Sequence, residues 1–359
     1  MSSSSIIPNV NKVYLINLFS QIFSNPGSNI FRPDHRTPSQ YRDLKISHLT
    51  HSFNSPINVN LGKTQIFSQI NAKLVSPKIE RPSEGIISFQ VDTHHLKPMA
   101  DFNSTNESLN EFRISINSLL EKCLKESHAL DTNILCVIPG KIVYKIIIEI
   151  NIIKNDGNVY DAAVIAALCS WLSFKIPFFR VKNEELYYDT FINLTTIHMP
   201  VCVTFGIFEK KDEKVEFVVD NTLEEESVMK GMVSICANIF GEISYMKMDT
   251  EAMIGVDEIQ DLIGEVDKHV LDIHKKIKKF VDEENIRVEK ILKEGKLENG
   301  DFMRNTKDKD NEMILDENNN NIKQIKNKII KNIYCSLFKY NLLIKGLITL
   351  SNTFFSIIL

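Results

Sequence analysis

The chain has 359 residues, 43% apolar and 25% charged, with a formal net charge of −4 and a pI near 6.2. That is enough apolar content for one large domain or two small ones with extensions. The near-neutral balance excludes a protein that is basic all over, so any nucleic-acid surface has to be a local patch. Six cysteines (Cys123, Cys136, Cys169, Cys202, Cys236, Cys335) stand far apart with no Cys-x-x-Cys pair, mostly in apolar runs, and read as reduced core thiols rather than a disulfide framework or a zinc site.

In chain order, the opening "MSSSSIIPNVNK" lacks the basic and long apolar regions of a secretory leader, so an intracellular, reducing compartment is expected. Residues 8–24 space Val13, Leu15, Ile16, Leu18, Phe19, Ile22 and Phe23 as a helix, ended by Asn-Pro-Gly at 25–27 and forming an arm over 8–30. "INVNLGKTQIFSQINAKLV" alternates as strand, and "GIISFQVD" (85–92) reads as another. The segment 104–127 is an amphipathic helix: Ser104 and Glu107 make a candidate capping box, and Leu109, Phe112, Ile116, Leu119, Leu120, Cys123 and Leu124 line one face. Residues 134–155 are β-branched and split by Pro139-Gly140-Lys141 into two strands.

The polar turn "KNDGN" then leads into an Ala-rich helix through Leu172. Strands follow at 200–208 and 215–220 across "EKKDEK", residues 223–240 read as helix, and 242–248 as a closing strand. From about 256 Ile259, Leu262, Ile263, Val266, Val270, Ile273 and Ile277 recur at helical spacing. The order of elements implies an α+β domain, divided at 31–205 and 206–293, rather than an alternating parallel-sheet fold. Residues 294–321 have the composition of a disordered segment, and the tail to 359 is apolar but interrupted by Lys339 and Lys345, too broken for a membrane anchor. The basic "HKKIKK" (274–279) reads equally as a helix face or an import signal, and the histidines, including His48, His51, His94 and His95, read as loop or strand-edge residues and form no metal constellation.

Several blocks carry a resemblance: "RPDHRTPSQYR" (32–42), "LGKTQIFSQINAKLVSPKIERPSEG" (61–85), "HHLKPMADF", "SHALDTNILCVIPGKIVYKI" (127–146) and "IHMPVCVTFGIF". Over residues 8–275 the chain resembles the RNase PH-like subunits of the eukaryotic RNA exosome, of the ribosomal RNA-processing protein 45 type. It departs from them at "PDHR", where Asp-Gly-Arg is usual, and in the extended tail after 290. The resemblance implies an RNase PH-like fold of the ribosomal protein S5 domain 2-like class. It also implies a hetero-hexameric ring with other RNase PH-like exosome subunits, an S1/KH cap subunit, RNA in a central channel and associated exosome nucleases as partners, and a location in nucleus, nucleolus and cytoplasm. No cofactor is implied, and rings of this kind are generally non-catalytic.

Phosphorolysis needs a held phosphate and a divalent metal on carboxylates. Where catalytic relatives carry Gly-Thr-Arg at a helix N-terminus, this chain has Asn158, Val159 and Tyr160, with Asp156 and Asp161 expected to cap the helix instead. Where those relatives carry two Asp six residues apart, it has Asp220 and Glu226. These are a vestigial metal site in the inert reading and the magnesium ligands in the alternative, a phosphorolytic 3′–5′ exoribonuclease. For RNA contact the candidates are Lys122 and Lys125, with Arg113 earlier on the same helix, and a weaker patch of Lys78 and Arg81. The plain readings are a solvated helix face for the former and a Pro/Gly-shaped turn for the latter.

Overall fold

The computed structural model describes residues 9–24, 31–50, 53–96, 106–182, 185–209 and 215–293. Helix α1 (Asn9–Ser24) leads, as its spacing predicts. Its Phe19, Ile22 and Phe23 pack with Phe208 and Val218 in a satellite core, while Val13, Tyr14 and Ile16 face outward. Strands β1 (Leu44–His48), β2 (Ile57–Leu61), β3 (Thr64–Val75) and β4 (Ile86–Asp92) precede α2 (Asn106–Leu120), which runs on as a π-helical turn, Glu121–Glu126. Next come β5 (Cys136–Ile138), β6 (Ile142–Lys154), α3 (Val159–Ser173), β7 (Lys175–Lys182) and β8 (Glu185–Asn193). The chain continues through β9 (Val201–Glu209), β10 (Val215–Val219), the single turn α4 (Leu223–Glu226), β11 (Gly231–Ala237), β12 (Ile243–Thr250) and α5 (Val256–Lys293).

Three sheets result. One has the order β1-β2-β3-β6-β4 with β5 also on β6, the second is β10-β9-β11-β12, and β7-β8 is a separate hairpin. Only β4 runs parallel to its neighbour β6, through the crossover that α2 provides. On β2 and the start of β3 every second residue is buried, the half-buried alternation read from "INVNLGKTQIFS". Helix α3 lies between the two large sheets, against β2, β3 and β6 on one side and β9 on the other. Accordingly 14 of its 15 residues are buried, with no polar face at all. Helix α5 lays Leu262, Val266, Val270, Ile273, Ile277 and Phe280 along α3, β9 and β11. Farther along α5, buried Glu284 lies 2.7 Å from His48 Nε2 on edge strand β1 and 2.6 Å from Arg287 Nε.

One expectation is wrong. Residues 223–240 are not a helix: after one capped turn the chain enters β11, paired on both sides by β9 and β12. From Val233 to Ala237 every residue of β11 is buried, so a central strand covered on both faces offers no alternation by which to tell it from a buried helix. Strands β1, β7 and β8 likewise stand outside the elements that the sequence spacing predicts. The "HKKIKK" lysines Lys275, Lys276, Lys278 and Lys279 lie exposed on α5 while Ile277 and Phe280 are buried beneath them, a helix face. Cys123, Cys169, Cys202 and Cys236 are buried free thiols and Cys136 is half-buried. Among the described residues no helix is long and apolar enough to cross a membrane. Ser104 of the candidate capping box, the turns at 25–27 and 210–214, His51, Cys335 and the whole tail 294–359 lie outside the described residues.

Candidate functional site

The turn ahead of α3 is shaped by two successive left-handed residues, Gly157 (φ 89°) and Asn158 (φ 52°). Glycine takes that conformation freely, and asparagine is among the few residues that tolerate it. The Gly157 N–H donates to Asn155 Oδ1 at 2.9 Å, while its carbonyl accepts from Thr64 Oγ1 at 2.7 Å. The turn is thereby stitched to β3. A backbone N–H at the head of a helix attracts an anion. Here the anion is the protein's own: the Asn158 N–H donates to Glu226 Oε1 at 2.7 Å.

This arrangement differs from the expected capping by Asp156 and Asp161. The Asp161 side chain turns inward and accepts from Tyr41 Oη, from Thr204 N and Oγ1 (3.1 and 2.8 Å) and from Asn158 Nδ2 (2.8 Å). Asp156 instead lies 3.6 Å from the Arg42 guanidinium. The inward turn follows from position: Asp161 faces the four-stranded sheet at full burial, where an unbonded carboxylate would be costly. Burial pushes its carboxyl up to about 6 against the bonds from Tyr41, Asn158 and Thr204.

Asp220 sits at the centre of the site, itself left-handed (φ 52°) and 0% exposed. Its Oδ2 accepts from Arg42 N (2.7 Å), Arg42 Nε (3.0 Å) and Arg36 Nη1 (3.3 Å). Its Oδ1 accepts from Arg42 Nη2 (2.8 Å) and Asn158 Nδ2 (2.7 Å). Burial alone would raise the Asp220 carboxyl, but the hydrogen bonds and charge of Arg42 hold it below the usual carboxylate range. Arg36 also donates to Asp34 Oδ2 at 2.5 Å and to the Asp220 carbonyl at 3.0 Å. Arg32, 1% exposed, makes a two-pronged pair with Glu225 and donates to the carbonyls of Val219 (2.8 Å) and Asp220 (3.0 Å). Glu225 in turn closes the capping box of α4 with Thr222.

Three arginines from one loop thus clamp the β10–α4 corner against the α3 turn. No periodicity singles them out in the sequence, although "RPDHRTPSQYR" carries three arginines against a single acid, an excess that calls for partners elsewhere in the chain. In that loop His35 is left-handed at φ 63°, where the resemblance leads one to expect glycine.

The structure brings Asp220 and Glu226, read from the sequence as a pair, onto Asn158, but not as metal ligands. Both Asp220 oxygens face arginine and asparagine donors, and Glu226 is turned onto a backbone N–H, so the pair does not fit magnesium. Among the described residues no cluster of His, Cys, Asp or Glu is arranged to hold a metal. Val159 and Tyr160 are buried, and Tyr160 meets Phe112 of α2 edge-on at 6.3 Å. Lys122 and Lys125 are both exposed on the π-helical turn. Lys122 Nζ lies over the Tyr245 ring at 5.2 Å, whereas Lys125 is 3.9 Å from Glu121. Arg113 is exposed on α2, and on the separate 77–84 turn Lys78 bridges to Arg81, which pairs with Glu84 at 3.1 Å.

Burial pushes the Glu226 carboxyl up to about 7, with Asp220 and Asp156 adding to the rise and Asn158 N–H and Arg42 opposing it. An acid raised on folding takes up a proton between its ordinary value of 4.5 and about 7. Its contribution to stability is therefore present at low pH and lost as pH climbs through 7. Glu226→Gln keeps the acceptor without the charge. Its stability relative to the native chain is expected to rise by about 1–2 kcal/mol between pH 5 and pH 8, measured by urea denaturation. A pH-independent difference would show that Glu226 ionises normally.

Models of the 3′ exoribonuclease family match the chain as its domain 1 over residues 40–177 and its domain 2 over 198–264. The bovine exosome complex component RRP45 is 32% identical over 269 residues, covering 74% of this chain and 58% of the relative. The zebrafish (Danio rerio) RRP45 is 31% identical over 281 residues, covering 72% and 69%. The chain thus spans less than two thirds of the length of the mammalian relatives it matches. A solved Archaeoglobus fulgidus exosome with RNA bound to the active site superposes with a TM-score of 0.62 at 21% identity, covering 76% of this chain and 99% of that one, which shows the fold.

Proposed function

The chain belongs to the 3′ exoribonuclease (RNase PH) family and groups with exosome components of the RRP45 type, and from that premise we propose that it is a non-catalytic ring subunit of an RNA exosome core. It supports 3′–5′ RNA processing and degradation by forming part of a channel through which RNA threads to associated nucleases. Its partners are other RNase PH-like subunits in a hetero-hexameric ring and an S1/KH cap subunit, in nucleus, nucleolus and cytoplasm.

One observation carries the inert reading: the groups that would serve phosphorolysis are spent on one another. Glu226 occupies the helix N–H that a phosphate would need, and Asp220 is tied by Arg36, Arg42 and Asn158. A preorganised anion site already filled by a tethered carboxylate has no vacancy for a solution anion of similar charge. Tyr160 presents a phenol where a guanidinium fork would grip phosphate in two places.

The test is a ring reconstituted with the full chain and single-stranded RNA. We expect no phosphate-dependent release of nucleoside diphosphates attributable to this subunit. Release that disappears with Glu226→Gln would establish the phosphorolytic alternative. RNA crosslinked to the ring is expected to form adducts on this chain, and their absence would make it a structural subunit without RNA contact.

A further inference from the structure

Beside the filled turn lies a second cluster, built from three elements and sharing Tyr160 with the head of α3. Lys247 Nζ on β12 donates to Ser115 Oγ of α2 at 2.6 Å and lies 3.3 Å from Tyr160 Oη of α3. The two hydroxyls are 2.9 Å apart, and the same ammonium sits 4.9 Å over the Tyr160 ring. Strand periodicity puts Tyr245 on the same face of β12, where it carries the Lys122 ammonium. Neither Lys122 nor Lys247 is in an ion pair with a carboxylate among the described residues.

Counting hydrogens identifies the ligand class. An ammonium has three N–H donors and no acceptor, and each hydroxyl has one O–H. Lys247 spends two donors on Ser115 and Tyr160, and the Ser115–Tyr160 contact spends one hydroxyl hydrogen. One ammonium N–H and one hydroxyl O–H remain, held together at the half-buried mouth formed by Ser115 and Lys247. Surplus donors with an uncompensated positive charge suit an acceptor-only oxyanion of the phosphate type. The ammonium is already fixed by a hydrogen bond and an aromatic face, so little side-chain freedom remains to be lost on binding. Phosphate contacts of this kind position a nucleic-acid backbone without reading its sequence.

We propose that Lys247, with Ser115 and Tyr160, forms a phosphate-oxyanion site that holds one backbone phosphate of single-stranded RNA, with Lys122 beside it on Tyr245. This rests on the RNA-threading function proposed above and adds to it the contacting residue. The same oxyanion chemistry is offered by inorganic phosphate, and the experiment separates the two.

Rings reconstituted with full-length Lys247→Gln and Lys247→Arg chains are titrated with a single-stranded oligonucleotide by fluorescence anisotropy over a salt series. Lys247→Gln is expected to weaken binding about 3- to 10-fold near 0.15 M salt and to flatten the log–log salt slope by about 0.7, the loss of one phosphate contact. Lys247→Arg is expected to keep most of the affinity, and the melting temperature of both rings to stay native, which a purely structural lysine would not produce. If Lys247→Gln binds RNA natively while Lys122→Gln or Lys125→Gln does not, RNA touches this chain elsewhere and the site assignment is wrong. If no variant alters binding and no crosslink reaches this chain, the RNA-contact reading fails with it. If inorganic phosphate titrated alone binds in a Lys247-dependent way while RNA affinity is unmoved, the site serves free phosphate and the RNA assignment is overturned.

Discussion

Asp220→Ala is expected to lower the unfolding free energy by about 3 kcal/mol, because it removes the fully buried carboxylate shared by Arg36 and Arg42 and leaves them only Asp34 and the more distant, partly exposed Asp156. The penalty comes from the survivors: both guanidiniums are less than a tenth exposed, and the donors that now meet Asp220 would lose their acceptor. The single tryptophan, Trp171, is 0% exposed in α3 and reports unfolding by fluorescence in a guanidinium titration. Adding Arg42→Met is expected to recover part of the loss, since a buried pair removed together costs less than either half removed alone. The sign with pH is fixed by the lowered carboxyl. Its contribution is complete above the ordinary value of 3.8 and disappears as pH falls through the lower folded value, so native and Asp220→Ala chains should converge in strong acid. A variant as stable as the native chain would mean that the arginines find water or other acceptors, and Asp220 would regain its standing as a residue free for chemistry.

Gly157→Ala is expected to be comparably damaging, by about 2–5 kcal/mol. Gly157 has φ 89°, and a Cβ there would stand 2.4 Å from the Asn221 carbonyl oxygen and 2.5–2.6 Å from the Thr222 and Leu223 backbone. These are backbone atoms at the head of α4 that cannot swing aside as the end of a side chain does. The α3 turn and the α4 corner meet so closely that the Leu223 N–H donates to the Asp156 carbonyl at 3.1 Å. Forcing them apart also draws Glu226 off the Asn158 N–H and Arg42 off the Gly157 carbonyl. The loss is therefore expected in the denaturant midpoint and, under the proposed function, in assembly of the proposed ring. Native stability for this variant would show that the turn and corner separate without cost.

The periodic elements were legible because one face of each meets water. Helix α2 with its π-helical turn, the hairpin of "INVNLGKTQIFSQI" and the long stripe of α5 each alternate polar with apolar at their own period, and the family blocks follow the same elements. Legibility failed at β11, buried on both faces, and at the arginine loop, where no periodicity marks which acid an arginine will find. Arg32 and Glu225 are 193 residues apart, and Arg42 and Asp220 are 178 apart.

By itself, then, the sequence determines the family and the α+β class, since these rest on residue identity and local spacing, while the reading of Asn158, Val159 and Tyr160 against Gly-Thr-Arg rests on the resemblance. Only the tertiary structure decides which groups meet at the α3 turn. It puts Glu226 on the Asn158 N–H, turns Asp161 inward, ties Asp220 to two arginines and sets Lys247 beside Tyr160 and Ser115. Each of these is a pairing of charges or donors from distant segments. Such partners are selected by burial, where every polar group must find a bond, and burial exists only once the sheets have closed over α3.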